Sequence, residues 1–82
     1  MKIPRDISAK SLLKATEKLG YKITRQIGSH IRLTTLEKGQ HHITIPNHDP
    51  IRIGTLSSIL SEIADHFQTS KEEIVKRLFS DK

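Results

Sequence analysis

The sequence has 82 residues, 14 Lys and Arg against 9 Asp and Glu, a formal charge of +5 and a pI near 9.8. With no cysteine, disulfides, thiol nucleophiles and cysteine-ligated zinc sites are excluded outright. No more than two strongly apolar residues stand side by side, so neither a membrane span nor a signal-peptide core can be drawn, which predicts a soluble, unprocessed cytoplasmic protein. A single domain over residues 1–82 is expected, and a chain of this size buries only about 60% of its unfolded surface, enough for one thin core.

Ile7, Leu12, Leu13, Ala15 and Leu19 form a helical stripe in the first segment. Asp6 or Ser8 is its candidate N-cap, and Gly20 stands where a helix C-terminus favours a left-handed residue. Lys10, Lys14 and Lys18 recur four residues apart and so line one face of that helix. The period then drops to two. Tyr21, Ile23, Arg25 and Ile27 alternate with Lys22, Thr24 and Gln26; Ile31 and Leu33 alternate with His30, Arg32 and Thr34; Ile43 and Ile45 alternate with His42 and Thr44. These are three short strands. Gly28-Ser29 and Glu37–Gln40 are short enough to join them as antiparallel hairpins, giving a meander with one apolar face.

Pro46, Asn47, Asp49 and Pro50 end the third strand. A second helix is expected to open at Gly54-Thr55, with Thr55 as N-cap, and to bury Leu56, Ile59, Leu60, Ile63, Ala64 and Phe67. Ser70-Lys71-Glu72-Glu73 matches a capping box and begins a third helix, about residues 70–80, that buries Ile74, Val75, Leu78 and Phe79. The expected class is therefore α+β, in the order α-β-β-β-α with an extra C-terminal helix and both main helices on one face of the sheet. That order is the one used by the double-stranded-RNA-binding fold.

The charge points the same way. Residues 1–53 carry ten basic and four acidic side chains, the footprint of a surface that meets phosphate. Histidines concentrate between residues 30 and 48. His41 and His42 are neighbours in a strand and point to opposite faces, so they do not chelate one ion together, and no metal or cofactor is expected. His66, near the end of the second helix, reads as a surface or capping imidazole. His30 follows the Gly28-Ser29 bend on the face opposite Ile31 and Leu33, so its ring should reach solvent on a basic surface. An imidazole exchanges a proton near neutral pH. The ribose 2′-OH of RNA is an internal nucleophile that needs only a base and cations to hold the phosphate. Gly28 would let backbone approach a phosphate, Ser29 offers a hydroxyl and an N–H, and Lys22, Gln26 and Arg32 are the nearest polar side chains along the strands. His48, beyond Pro46, is a possible auxiliary group.

Leu12-Leu13 in a lysine-bearing helix, Leu19-Gly20-Tyr21, Arg25–His30, Ile43–His48 and Gly54–Leu60 together resemble the HicA toxin family of type II toxin–antitoxin systems, over about residues 8–67. The resemblance implies a double-stranded-RNA-binding-like fold acting as an mRNA interferase, with His30 required for cleavage and Gly28 and Ser29 as its supporting turn. It also implies a HicB-type antitoxin that covers the site. On this reading the chain is a metal-independent endoribonuclease of mRNA, with Lys10, Lys14, Lys22 and Arg32 contacting phosphate. Two other classes fit the same residues: a non-catalytic RNA-binding module using the helix-one lysines, and an interaction domain whose basic face serves an acidic partner.

Overall fold

The computed structural model describes residues 3–80; Met1, Lys2, Asp81 and Lys82, which the expected 1–82 domain includes, lie outside the described residues. Helix α1 spans Ala9–Thr16 and starts at Ser8, whose Oγ accepts from the Ser11 N–H at 3.1 Å. That bond satisfies one of the donors a helix N-terminus leaves free. The helix runs into a single 3-10 turn, Glu17–Leu19, and stops at Gly20, whose φ of 83° is the left-handed conformation expected there. Ala9, Leu12, Ala15, Thr16 and Leu19 are buried.

Strands β1 (Lys22–Ile27), β2 (His30–Thr35) and β3 (His41–Pro46) form an antiparallel sheet in that order. Ile31, Leu33, Ile43 and Ile45 face the helices and are buried, as their alternation requires. Helices α2 and α1 pack on this face, chiefly along β3.

Strand β1 departs from the expected single apolar face. All six of its residues are exposed, with Ile23 at 55% and Ile27 at 60%. It is an edge strand beyond the helical layer, and its register slips between Ile23 and Arg25. Ile23 lies opposite Leu33 on the helix side, whereas Arg25 pairs with Arg32 and Ile27 with His30 on the open side. Thr24 is the extra residue. A bulge of this kind re-aims the side chains beyond it.

Helix α2 covers Ile53–Phe67, so it begins before the expected Thr55. Its N-cap is Arg52, which makes no side-chain capping bond. The start is set at long range: Ile51 is buried, and its N–H donates to the Ile7 carbonyl at 2.8 Å. The predicted stripe from Leu56 to Phe67 is buried in full. Helix α3, Lys71–Phe79, has the expected Ser70 cap, with Oγ accepting from the Glu73 N–H at 3.0 Å. It buries Ile74 and Leu78 against α2 and α1, while Val75 and Phe79 are half-buried. Lys18, expected to continue the Lys10–Lys14 stripe, lies in the 3-10 turn beyond α1 instead, its Nζ donating to the Leu78 carbonyl at 3.1 Å. A cation at that end complements the negative pole of α3.

The result is an α+β fold with the double-stranded-RNA-binding order and a third helix packed on the other two. Among the described residues no helix is long and apolar enough to cross a membrane.

Candidate active site

A two-residue turn sets the position of His30. Ile27 and His30 are the last pair of the β1–β2 ladder, leaving Gly28 and Ser29 as the bend. Gly28 has φ +56° at the first turn position, the positive φ that two-residue hairpin loops favour. His30 is therefore a strand residue. Its backbone is held between Ile27 on one side and Pro46 on the other, and its side chain is exposed.

The loop after β3 is fastened opposite. The Asn47 N–H donates to the Ser29 carbonyl at 2.6 Å, and the His48 N–H donates to the Pro46 carbonyl at 2.9 Å. His48 in turn accepts at its carbonyl from the Ala9 N–H at 3.2 Å. Three elements distant in sequence thus meet around one open hollow of about 630 Å³. His30, Thr44, His48, Asp49, Arg52 and Thr55 line it, with Pro46 and Pro50. Arg52 and Thr55 belong to the start of α2. The first N–H groups of a helix lack intrahelical partners, and no side chain caps them here, so this wall offers donors as well as a cation.

A smaller notch of about 190 Å³ adjoins it, lined by Arg25, Ile27, His30, Arg32 and Thr44. His30 and Thr44 belong to both. The imidazole is therefore shared by two depressions, one holding Arg25 and Arg32 and the other Arg52 beside Asp49.

The sequence-predicted residues divide. Gly28, Ser29, His30 and Arg32 come together, and His48 joins them across the hollow. Lys22 shares the open face but pairs with Thr34, four residues along β2 from His30, or about 13 Å at strand spacing. Gln26 pairs with Ile31, so it lies on the opposite side of the sheet from His30. Lys10 and Lys14 are exposed on α1 and line neither depression. Arg25, Ile27, Thr44 and Arg52 also line the depressions, as does Thr55, which is expected from the sequence only as a helix cap. For Arg25 and Ile27 the signal was present: counting back from a two-residue turn puts Ile27 opposite His30, hence on its face. Arg52 and Thr55 arrive through the tertiary fold and leave no local trace.

The other end of the sheet holds a second histidine cluster. His41 and His66 stack with ring centroids 4.4 Å apart and 8° between planes. His41 Nδ1 lies 2.7 Å from the Tyr21 hydroxyl, and His66 Nε2 lies 2.8 Å from the Glu37 carbonyl, to which it donates. His66 therefore latches α2 to the β2–β3 turn and does not cap its own helix. Burial, helped by Glu62, pushes the Tyr21 hydroxyl above its ordinary range, so it stays protonated. Burial and the neighbouring His66 lower the His41 pKa, against a smaller opposing effect of Glu62. His42 points to the open face, 2.7 Å from the Thr34 hydroxyl. Among the described residues no group of three or more His, Asp or Glu side chains is placed to hold a metal ion.

Residues 9–64 match the family described as HicA toxin of bacterial toxin–antitoxin, a span that runs from α1 into α2 and includes both depressions and His30. No curated protein and no solved structure gave a significant match. The match covers well over half of the sequence, and the chain belongs to the HicA toxin family, the toxins of bacterial toxin–antitoxin systems.

Proposed function

We propose that this toxin is a metal-independent endoribonuclease that cleaves mRNA at His30 and is neutralised by a HicB-type antitoxin covering that site. The observation that carries the reading is the place of His30, exposed on a strand end between two depressions that bring Arg25, Arg32 and Arg52 around it. RNA supplies its own nucleophile. His30 takes the proton of a ribose 2′-OH, the 2′-oxygen attacks the adjacent phosphorus, and the bond from phosphorus to the 5′-oxygen breaks. The leaving oxygen takes a proton from His48 or water, and the upstream fragment ends in a 2′,3′-cyclic phosphate. Charge developing on the non-bridging oxygens would be met by Arg52 and the open N–H groups of α2, with Arg32 holding a neighbouring phosphate. Lys10, Lys14 and Lys22 extend the positive surface and would contact phosphates away from the cleaved bond.

The test is cleavage of a long unstructured RNA by wild type and His30→Ala in EDTA, with binding followed in parallel. Loss of a general base costs about 10²–10⁴-fold in rate. The variant should bind as before, and the products should carry cyclic or 2′/3′-phosphate ends. Products with a 3′-hydroxyl would overturn the mechanism. Equal binding with no cleavage by wild type would instead make the chain a non-catalytic RNA-binding module. Addition of the cognate antitoxin should abolish RNA binding by wild type, since both need the His30 face.

A further inference from the structure

The open face of β1 carries an arrangement that the cleavage step does not use. Arg25 and Arg32 are directly paired across the strands. Like charges so placed disfavour the free fold. Neither is neutralised: among the described residues the ion pair is Arg77 with Glu73, far along the chain in α3. Beside them Ile27 leaves 60% of its surface in water at the hairpin corner, in register with His30. These three side chains share one notch with His30 and Thr44.

The Thr24 bulge is what reconciles this face with the core. A regular ladder counted back from the turn would set Ile23 against Thr34, on the open side. The slip lets Ile23 lie opposite Leu33 while Arg25 and Ile27 stay beside His30. The bulge is pinned by side chains. The Thr24 hydroxyl lies 3.0 Å from that of Thr34, which in turn lies 2.7 Å from His42 Nδ1. A sheet face that gathers around one notch an exposed isoleucine and two arginines, without an ion-pair partner among the described residues, is shaped for a ligand that is anionic and also has an apolar face.

We propose that Arg25, Arg32 and Ile27 form a nucleotide subsite next to His30. In it the arginine pair holds one phosphate of a single-stranded RNA, and Ile27 supports the face of an unpaired base. The subsite rests on the ribonuclease reading and deepens it by selecting the substrate class. Two considerations select a single strand. In a duplex the bases are stacked and paired, so Ile27 would meet only sugar and phosphate. Attack by the 2′-oxygen also needs that oxygen in line with the leaving 5′-oxygen, which the regular A-form backbone does not provide.

The experiment measures binding apart from cleavage. A fluorescein-labelled ten-nucleotide 2′-O-methyl strand, which has no free 2′-OH to attack, and the duplex of the same sequence are titrated by anisotropy over a salt series. Wild type is compared with Arg25→Gln, Arg32→Gln, the double variant of the two, Ile27→Ser and, as a distant control on α3, Lys76→Gln. All four positions lie outside the buried core, and thermal melting verifies the fold of each variant. Each arginine variant should bind the single strand about tenfold more weakly. The log–log salt slope should flatten in each, by about 0.7 in the Arg25→Gln/Arg32→Gln double variant, the value for one phosphate contact on a single strand. Ile27→Ser should weaken binding by about threefold to tenfold with the slope unchanged, as expected for a desolvated apolar contact. Lys76→Gln should change neither. Single-strand binding that is indifferent to Arg25→Gln and Ile27→Ser, or wild-type binding of duplex as tight as of single strand, overturns the proposal. Cleavage of the unmodified strand is scored separately. If wild type never cuts while the binding losses appear, the ribonuclease reading falls and the subsite stands; if wild type cuts and the losses do not appear, the reverse holds.

Discussion

Gly20 and Gly28 both have positive φ, 83° and 56°, yet replacing each with alanine should have different consequences. An L-residue in the left-handed region costs about 1–2 kcal/mol on backbone grounds alone. At Gly28 that is the whole cost, because a Cβ there meets nothing within 4 Å. At Gly20 the Cβ would stand 2.6 Å from Glu37 Oε2 and 2.8 Å from Thr35 Oγ1. The Glu37 carboxylate is the end of a flexible side chain and can move away cheaply. Thr35 cannot. It is fully buried, its hydroxyl donates to the Leu19 carbonyl at 2.8 Å, and the same oxygen accepts from the Glu37 N–H at 3.1 Å.

Displacing that oxygen costs at least one buried hydrogen bond, about 1–3 kcal/mol. Gly20→Ala should therefore lose about 2–5 kcal/mol, against about 1–2 kcal/mol for Gly28→Ala. In a domain of this size 1 kcal/mol corresponds to roughly 4–8 °C in Tm. Urea denaturation of the two variants beside wild type, at one pH and salt, reads the difference directly. Equal losses within about 0.5 kcal/mol would refute the reasoning, because they would mean that Thr35 yields without cost. Gly28→Ala should remain folded and still alter RNA cleavage, since its strain is placed in the turn that carries His30.

Two further predictions concern stability. The folded-state pKa of His41 lies below its ordinary 6.5, with burial the leading cause and His66 next, so near neutral pH the unfolded chain binds more protons than the folded one. Stability should be full above about pH 7, decline as pH falls through 6.5, and stop responding to this group below the depressed value. The urea midpoint at pH 7.5 and at pH 5.5 measures the decline, and His41→Gln should flatten it; a midpoint that rises on acidification would contradict the assignment. The helix starts provide the other test: Ser70→Ala should cost about 1 kcal/mol by removing the α3 cap, whereas Thr55→Ala should lose no capping energy, because α2 starts at Arg52. Hydrogen exchange at the first turn of each helix separates the two.

What could be read from the sequence was what neighbouring residues decide. Ser8, Gly20 and Ser70 mark helix ends through bonds spanning three or four residues, and all three stand where expected. The buried stripe of α2 is equally local. Its first residue is not, because the burial of Ile51 and its bond to Ile7 place it, and neither is visible in the 50–55 stretch alone. Strand β1 shows the same divide. Its alternation identifies a strand correctly, but which side each residue takes depends on a register slip against β2, and a slip of one residue exchanges the faces. The solvent exposure of His30 was legible because the turn that positions it adjoins it in sequence. Arg52 and Thr55 reach the same hollow only through the fold.

The two ends of the sheet divide the work between them. At the end carrying Tyr21, Thr35, His41 and His66, side chains stack and bond across α2, the β2–β3 turn and the 3-10 turn after α1, so a change there is felt as stability. At the end carrying His30, order comes from the backbone. The Ile27–His30 and His30–Pro46 pairs, with the Asn47 and His48 N–H bonds, fix the strand ends and the loop while leaving the side chains of His30, Arg52 and His48 exposed. Positioning by backbone frees those side chains from any structural duty. That is the condition a reactive imidazole needs if it is to be preorganised and still reach a substrate. It also explains how an 82-residue chain with a thin core can keep an uncompensated Arg25–Arg32 pair on its surface: the residues that hold the fold together lie on the opposite face of the sheet or at its far end.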